Sequence, residues 1–241
     1  MANSASAPRP SSTVVLVRPG DDLPEVFMVK RHARSSFGST FAFPGGVLEN
    51  SDAAVGDHCQ GLTSTEANSL LGLEADGLTY YSAAIRELFE ESGVLLAECE
   101  DSGDELQAAR DGLNSGALDW SEFVSRGKLR LRCDQLHYFS FWITPVGLPK
   151  RYATRFFLAE MPPNQIASHD GGELTESSWM AAKDVLKARK NKAMKVPYPT
   201  RKTLKRVAGF SDLETLLAWA KACGEHGVIC DQPAFRPEEI A

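Results

Sequence analysis

No apolar run in this 241-residue chain approaches the roughly 20 residues needed to cross a bilayer, so no membrane helix is expected. Cysteine is sparse and scattered. Cys59, Cys99, Cys133, Cys223 and Cys230 form no C-x-x-C pair, which leaves a zinc site unsupported and gives a disulfide framework little support. Reduced thiols in a cytosolic protein are the expectation. Basic charge is not in excess either. A net charge of -6 argues against binding nucleic acid through an overall positive field. It leaves phosphorylated small molecules open, because a bound divalent cation reverses the local sign. Met1 to Ser12 is rich in Ala, Ser and Pro without the apolar centre of a secretion signal, and reads as a flexible tail. Glu239-Ile240-Ala241 is not a peroxisomal Ser-Lys-Leu address. The expected location is the cytoplasm, with neither nucleic acid nor membrane as a partner.

What is present, 43% hydrophobic and 24% charged residues, suits a soluble globular protein with one core carrying insertions. Thr13 to Val17 is a β-branched apolar run closed by Pro19-Gly20-Asp21-Asp22, and Val26 to Val29 is a second, so a hairpin is predicted. The basic residues Lys30, Arg31, His32 and Arg34 follow, then a turn-rich stretch ending in Phe43-Pro44-Gly45-Gly46. About Asn50 to Thr79 reads as an insertion with one short helix near Ser64 to Leu71, capped by Thr63 or Ser64 with Glu66 nearby. Tyr81 to Leu96 is predicted helical. Asp104 to Gly127 holds two more helical stretches split near Ser115-Gly116. Their Leu106, Leu113, Leu118, Trp120 and Phe123 suit a packed subdomain.

Leu136 to Thr144 and Thr154 to Glu160 read as strands, and Trp179 closes a short one. Ala181 to Arg189 reads as a helix. Leu213 to Ala222 is an amphipathic helix started by Ser211 or Asp212. Strands and helices in no regular alternation imply an α/β fold, a mixed sheet covered by helices on both faces. Residues 1–12 form the expected tail and 13–241 a single domain, with insertions at about 53–79 and 100–130.

The helix around Arg86 carries the chemistry. At about 100° per residue, with Ala84 at zero, Leu88, Ile85 and Phe89 occupy an arc of about 0–140°. Glu87, Glu90 and Glu91 fall at about 240–340°. One helix thus offers an apolar stripe to a core and three carboxylates on another face. Like charges at i, i+3 and i+4 repel. A divalent cation on that face offsets the repulsion, since hard oxygen ligands suit magnesium or manganese. Taken alone, three glutamates also fit a solvated acidic face.

The string decides between these. Arg86-Glu87-Leu88-x-Glu90-Glu91-x-Gly93-Val94 matches every defined position of R-E-U-x-E-E-x-G-U, the second half of the Nudix box. The first half, G-x5-E, corresponds to Gly46 and, after five residues, Asp52, an acid one methylene shorter. The family pattern then leaves seven residues before the Arg. Here there are 33, residues 53 to 85, an excess of 26. The chain resembles the Nudix hydrolases, and within them the mammalian acyl-CoA diphosphatase branch, whose box is similarly split after a Pro-Gly-Gly turn. Leu136-His137 before Trp142-Ile143-Thr144-Pro145, the stretch Arg151 to Leu158, and Glu173 six residues before Trp179 extend the likeness over about Thr13 to Trp219. The branch's upstream signature is met loosely: Arg31 and Gly38 are present, but the spacing from Gly38 to Phe43 is one residue longer.

The resemblance implies a Nudix-type α/β/α sandwich with helical insertions that hydrolyses a diphosphate linkage with Mg2+ or Mn2+. Glu90 and Glu91 would be the principal metal ligands, aided by Glu87 and the Gly46 carbonyl, and Glu87 or Glu173 would take a proton from the attacking water. Arg86 would orient the acids from within the helix, Glu90 lying at i+4. Gly93 would end the acidic turn or let the backbone pass closely. Arg31 and Arg155 are candidates for phosphate contacts, because a guanidinium fork matches phosphoryl oxygens, and each also reads as an ion-pair partner. His137 reads as a hydrogen-bonded strand residue, Phe141 and Trp142 as core, Glu176 as a surface acid or auxiliary ligand, and Asp52 as a supporting acid or a loop residue.

The implied substrate is CoA or acyl-CoA, cleaved to 3′,5′-ADP and a phosphopantetheine. Another nucleoside diphosphate derivative, such as ADP-ribose or NADH, is the alternative. A Nudix-fold binding protein without catalysis is a third reading, against which all three glutamates stand. The Asp104–Gly127 insertion is a candidate cap for the substrate site or contact of a homodimer.

Overall fold

The computed structural model describes residues 6–31, 40–100, 103–172, 174–228 and 230–232. Val14, Val15, Leu16 and Val17 are all fully buried. A strand apolar on both sides belongs in a sheet covered on both faces, and β1 (Arg9–Arg18) takes that place. It pairs antiparallel with β2 (Glu25–Arg31) through Val17–Val26 and Arg18–Glu25, the predicted hairpin. On its other edge it runs parallel to β9 (Tyr152–Glu160), from Arg9–Tyr152 to Val17–Glu160.

The expected tail boundary at Ser12 is corrected, because β1 starts at Arg9. Ser11 and Ser12 are buried. Pairing with β9 gives the Ser11 hydroxyl a partner in Thr154 Oγ1 at 2.7 Å, and the Ser12 hydroxyl donates to the carbonyl of Tyr80, on the helix that packs over the sheet, at 2.8 Å.

The sheet order is β10-β2-β1-β9-β8-β11, with β8 at His137–Ile143, β10 at Leu174–Ala181 and β11 at Cys230–Asp231. The short β3 (Phe41–Ala42) pairs with β2, and β4 (Gly45–Val47) with β1. Alternate strand residues point to opposite faces. Val14, Leu16, Phe27 and Val29 pack with Ala84, Ile85 and Leu88 of α3 (Gly77–Ser92). Val15, Val17, Val26 and Met28 pack with Val185 of α6 (Ala182–Lys190), Leu204 of α7 (Tyr198–Val207) and Leu216 of α8 (Leu213–His226). The mixed sheet with helices on both faces is as expected. Asp212 caps α8, its carboxylate accepting from Thr215 N at 2.8 Å.

Helix α3 starts and ends four residues before its predicted limits of Tyr81 and Leu96. At its start, the Gly77 N–H donates to Asn68 Oδ1 at 2.7 Å. At its end, Gly93 has φ 73° and donates to the Phe89 carbonyl at 2.8 Å, a left-handed cap that glycine adopts without strain. Val94 to Leu96 stay in the core beyond the helix.

Both insertions brace α3. The first holds α1 (Asn50–Ala53), β5 (Cys59–Gln60) and α2 (Ser64–Leu71), where Thr63 and Glu66 form the expected capping box. The second holds α4 (Gly103–Ser115) and α5 (Trp120–Arg126). Trp120 is buried and donates to Ser82 Oγ at 2.9 Å, while Phe123 stacks on Phe89 with centroids 5.5 Å apart. A small sheet, β5-β7-β6, with β6 at Ala97–Glu98 and β7 at Arg130–Arg132, ties the insertions together. No helix among the described residues is long and apolar enough to cross a membrane.

Candidate active site

The three glutamates of α3 meet a tight turn at the start of the box. Glu91 is buried. One of its oxygens accepts from the Gly45 amide at 2.9 Å and the other from Arg31 Nη2 at 2.7 Å. The same Arg31 nitrogen donates to the Gly45 carbonyl at 2.6 Å. Arg31 thus stitches strand, turn and acidic helix together. Gly46 presses against Glu87, since a Cβ on Gly46 would overlap the Glu87 carboxylate. The close backbone approach that a glycine permits is used here against a catalytic candidate.

Arg86 is the hub. Its guanidinium is 2% exposed and every nitrogen is used. Nε donates to Asp52 Oδ1 at 2.8 Å and Nη2 to Asp52 Oδ2 at 3.0 Å. Nη2 also reaches the Val47 carbonyl at 2.9 Å. Nη1 donates to Glu87 at 3.0 Å and to Glu90 at 3.1 Å. Arg86 thus touches both Glu87 and Glu90, the contacts an orienting role would use. Asp52, fully withdrawn from water on α1, is its two-pronged partner, and also accepts from the Glu49 amide at 2.7 Å.

The second oxygens of Glu87 and Glu90 take no hydrogen bond among the described residues. Burial raises the pKa of Glu87, against the pull of Arg86 and Arg31. Burial also pushes Glu90 up to about 7, opposed by Arg86 and reinforced by the charges of Glu87 and Glu49. Arg86 is kept charged. Burial works against its cation, but the hydrogen bonds it donates to Asp52 and the charges of Glu87, Asp52 and Glu90 outweigh it. Among the described residues, no three His, Cys, Asp or Glu side chains surround one point, because the acids lean on the two guanidiniums.

Other candidates fall elsewhere. Arg155 is 5% exposed, with its guanidinium 4.2 Å from the Tyr80 ring centroid and 4.6 Å from that of Phe141. It donates to the Leu71 carbonyl at 3.1 Å, and its described contacts include none of the three glutamates. Glu176 pairs with Lys30 at 2.9 Å on the surface. Trp142 is buried, donating to Ser140 Oγ at 2.9 Å. His137 is half-buried, and burial lowers its pKa. Glu173, like His32, Arg34 and Gly38, lies outside the described residues. Glu49 and Arg110 escaped the sequence reading. Arg110 of α4 is buried and donates to the Glu90 carbonyl at 3.0 Å and the Ser168 carbonyl at 2.8 Å. No local motif marks either.

A carboxylate helix packed on a mixed sheet, with a glycine turn against its acids, defines a Nudix fold. The crystal structure of a NUDIX hydrolase from Alicyclobacillus acidocaldarius matches it with a TM-score of 0.70, at 25% identity, over 88% of this chain and 96% of that one. More narrowly, the NUDT19 Nudix domain family matches residues 64–207, and the chain belongs to that family. The acyl-coenzyme A diphosphatase NUDT19 of Xenopus laevis is 28% identical over 235 residues, covering 80% of this chain. The provisionally named nudix hydrolase 7 of Caenorhabditis elegans is 26% identical over 216 residues, covering 86% of this chain. The matched stretch spans 62% and 63% of those two relatives.

Proposed function

We propose that this chain hydrolyses a diphosphate linkage with a divalent cation, and that its substrate is CoA or acyl-CoA, cleaved to 3′,5′-ADP and (acyl-)4′-phosphopantetheine. One observation carries the chemical reading. Asp52 and Arg86 hold Glu87 and Glu90 side by side, each with an oxygen that takes no hydrogen bond among the described residues. Asp52, Glu87 and Glu90 all lean on the one Arg86 cation, so around it the carboxylates outnumber the cation. Hard oxygen donors with surplus negative charge fit magnesium or manganese.

Glu87, Glu90, Glu91 and the Gly46 carbonyl are the groups that would hold it. When bound, such an ion neutralises diphosphate charge and makes water easier to deprotonate. Glu87 or Glu173 takes the water's proton as the new P–O bond forms and the bridging P–O bond breaks. Arg86 fixes the acids, and Arg31, beside Glu91, is the stronger candidate for a phosphate contact. Arg155, stacked between two rings, is the weaker one.

The name of the Xenopus relative supports the CoA substrate, as do the split box and the strand motifs near Arg151–Leu158. Products are to be identified after incubation with magnesium and CoA, acyl-CoAs, ADP-ribose or NADH. Release of 3′,5′-ADP is the expected result. Cleavage of ADP-ribose with CoA left intact would overturn the substrate and keep the chemistry.

A further inference from the structure

We infer that the outer face of α6 and α7 is a docking surface for an anionic lipid bilayer, separate from the carboxylate site. From Lys183 to Arg206 the chain has ten cations and one acid, Asp184, in a protein of net charge -6. On α6, Lys183, Lys187 and Lys190 recur at i, i+4 and i+7 and are all exposed, while Ala182 and Val185 are buried. On α7, Lys202, Lys205 and Arg206 share a stripe opposite the buried Thr203, Leu204 and Val207. Lys192 and Lys195, both exposed, lie on the connection. The two helices pack together, and their buried sides enter one core on the sheet face opposite α3. Both stripes therefore point outward on one side of the molecule.

Arg206 pairs with Asp231 at 3.1 Å. The other nine cations form no ion pair among the described residues. Like charges at i, i+4 repel and weaken a helix, and an opposing anionic plane removes that repulsion. Near such a plane each Lys or Arg contributes favourably, within a Debye length. The acidic helix α3 packs on the opposite face of the sheet, and exposed charges separated by more than about 8 Å are largely screened from one another at physiological salt.

Lipid fits better than nucleic acid. Seven of the ten cations are Lys, a strongly hydrated point charge suited to diffuse attraction rather than bidentate readout. Single-stranded nucleic acid needs open aromatic faces for stacking. Tyr198, the aromatic residue of this segment, is covered by Arg201 at 4.9 Å, Lys202 at 5.3 Å and Trp142 at 5.8 Å. Such docking needs no spanning helix, so it is compatible with the lack of one among the described residues.

The test is sedimentation of the full chain with vesicles of phosphatidylcholine alone or with about one-third phosphatidylserine, at low and high salt. Binding is expected to the anionic vesicles only, weakened by salt. The triple variant Lys183→Glu, Lys187→Glu, Lys190→Glu is expected to bind at least about tenfold more weakly, with its circular dichroism and Tm unchanged. Lys202→Glu with Lys205→Glu serves as a second variant should the first misfold. No binding to anionic vesicles, or equal binding by folded variants, overturns the proposal. Tighter binding to a short DNA or RNA duplex at the same salt, lost in the same variants, overturns the lipid assignment.

Discussion

Asp52 and Arg86, 34 positions apart, form a two-pronged ion pair with side chains 0% and 2% exposed. It closes the two ends of the inserted segment, so the split box is rejoined in space. Removing one partner of a buried pair leaves an uncompensated charge, typically at about 3–5 kcal/mol. Asp52→Ala is therefore expected to destabilise the fold by about 3 kcal/mol. In urea unfolding the Asp52→Ala, Arg86→Met double variant should lose less than the sum of the singles. Additive losses would show that the pair is not coupled.

Glu90, a proposed metal ligand, carries a cost in stability. Its carboxylate is buried beside Glu87 and its pKa is raised to about 7. Glu90→Gln is expected to raise the Tm of the metal-free protein while lowering kcat by about 10²-fold. A fall in both would mean that Glu90 is a structural anchor.

The pH dependence follows in sign. The folded protein holds the Glu90 proton up to about 7, whereas the unfolded chain releases it near 4.5. Between those values the folded state binds more protons, so metal-free stability falls as pH rises. A cation needs the ionised carboxylate. Its stabilising effect should therefore be small near about pH 5 and large near about pH 8. Thermal shifts with magnesium across this range check the trend, and a shift independent of pH would contradict it.

Gly46→Ala places a methyl group where the Glu87 carboxylate lies. Overpacking of this kind costs about 1–3 kcal/mol. Turnover is expected to fall at least about tenfold, since about 1 Å of displacement is enough for a loss of that order. Wild-type turnover in a folded Gly46→Ala protein would separate Glu87 from the chemistry.

Much of this was legible in the chain. The β-branched Thr13–Val17 run and Val26–Val29 marked the β1–β2 hairpin, and the box string placed the acids on α3. Helix limits were less legible. Gly77 starts α3 because Asn68, nine residues earlier, supplies its hydrogen-bond acceptor, a contact no local pattern contains. Helix α7 lies in a stretch for which the sequence reading proposed no element; Pro197 precedes it and Pro199 stands in its first turn, where proline is tolerated. The partnership of Asp52 was hidden by the insertion, and the basic face by an averaged net charge.

The central claim is a cation-assisted hydrolase built on Glu87, Glu90 and Glu91. Its most direct test is 3′,5′-ADP release from CoA and acyl-CoA, with and without magnesium, for wild type and Glu91→Gln. The expected result is cleavage that stops on chelation and falls by at least about 10²-fold in Glu91→Gln. Wild-type rates in Glu91→Gln, or no cleavage of any nucleoside diphosphate derivative with magnesium or manganese, would contradict it.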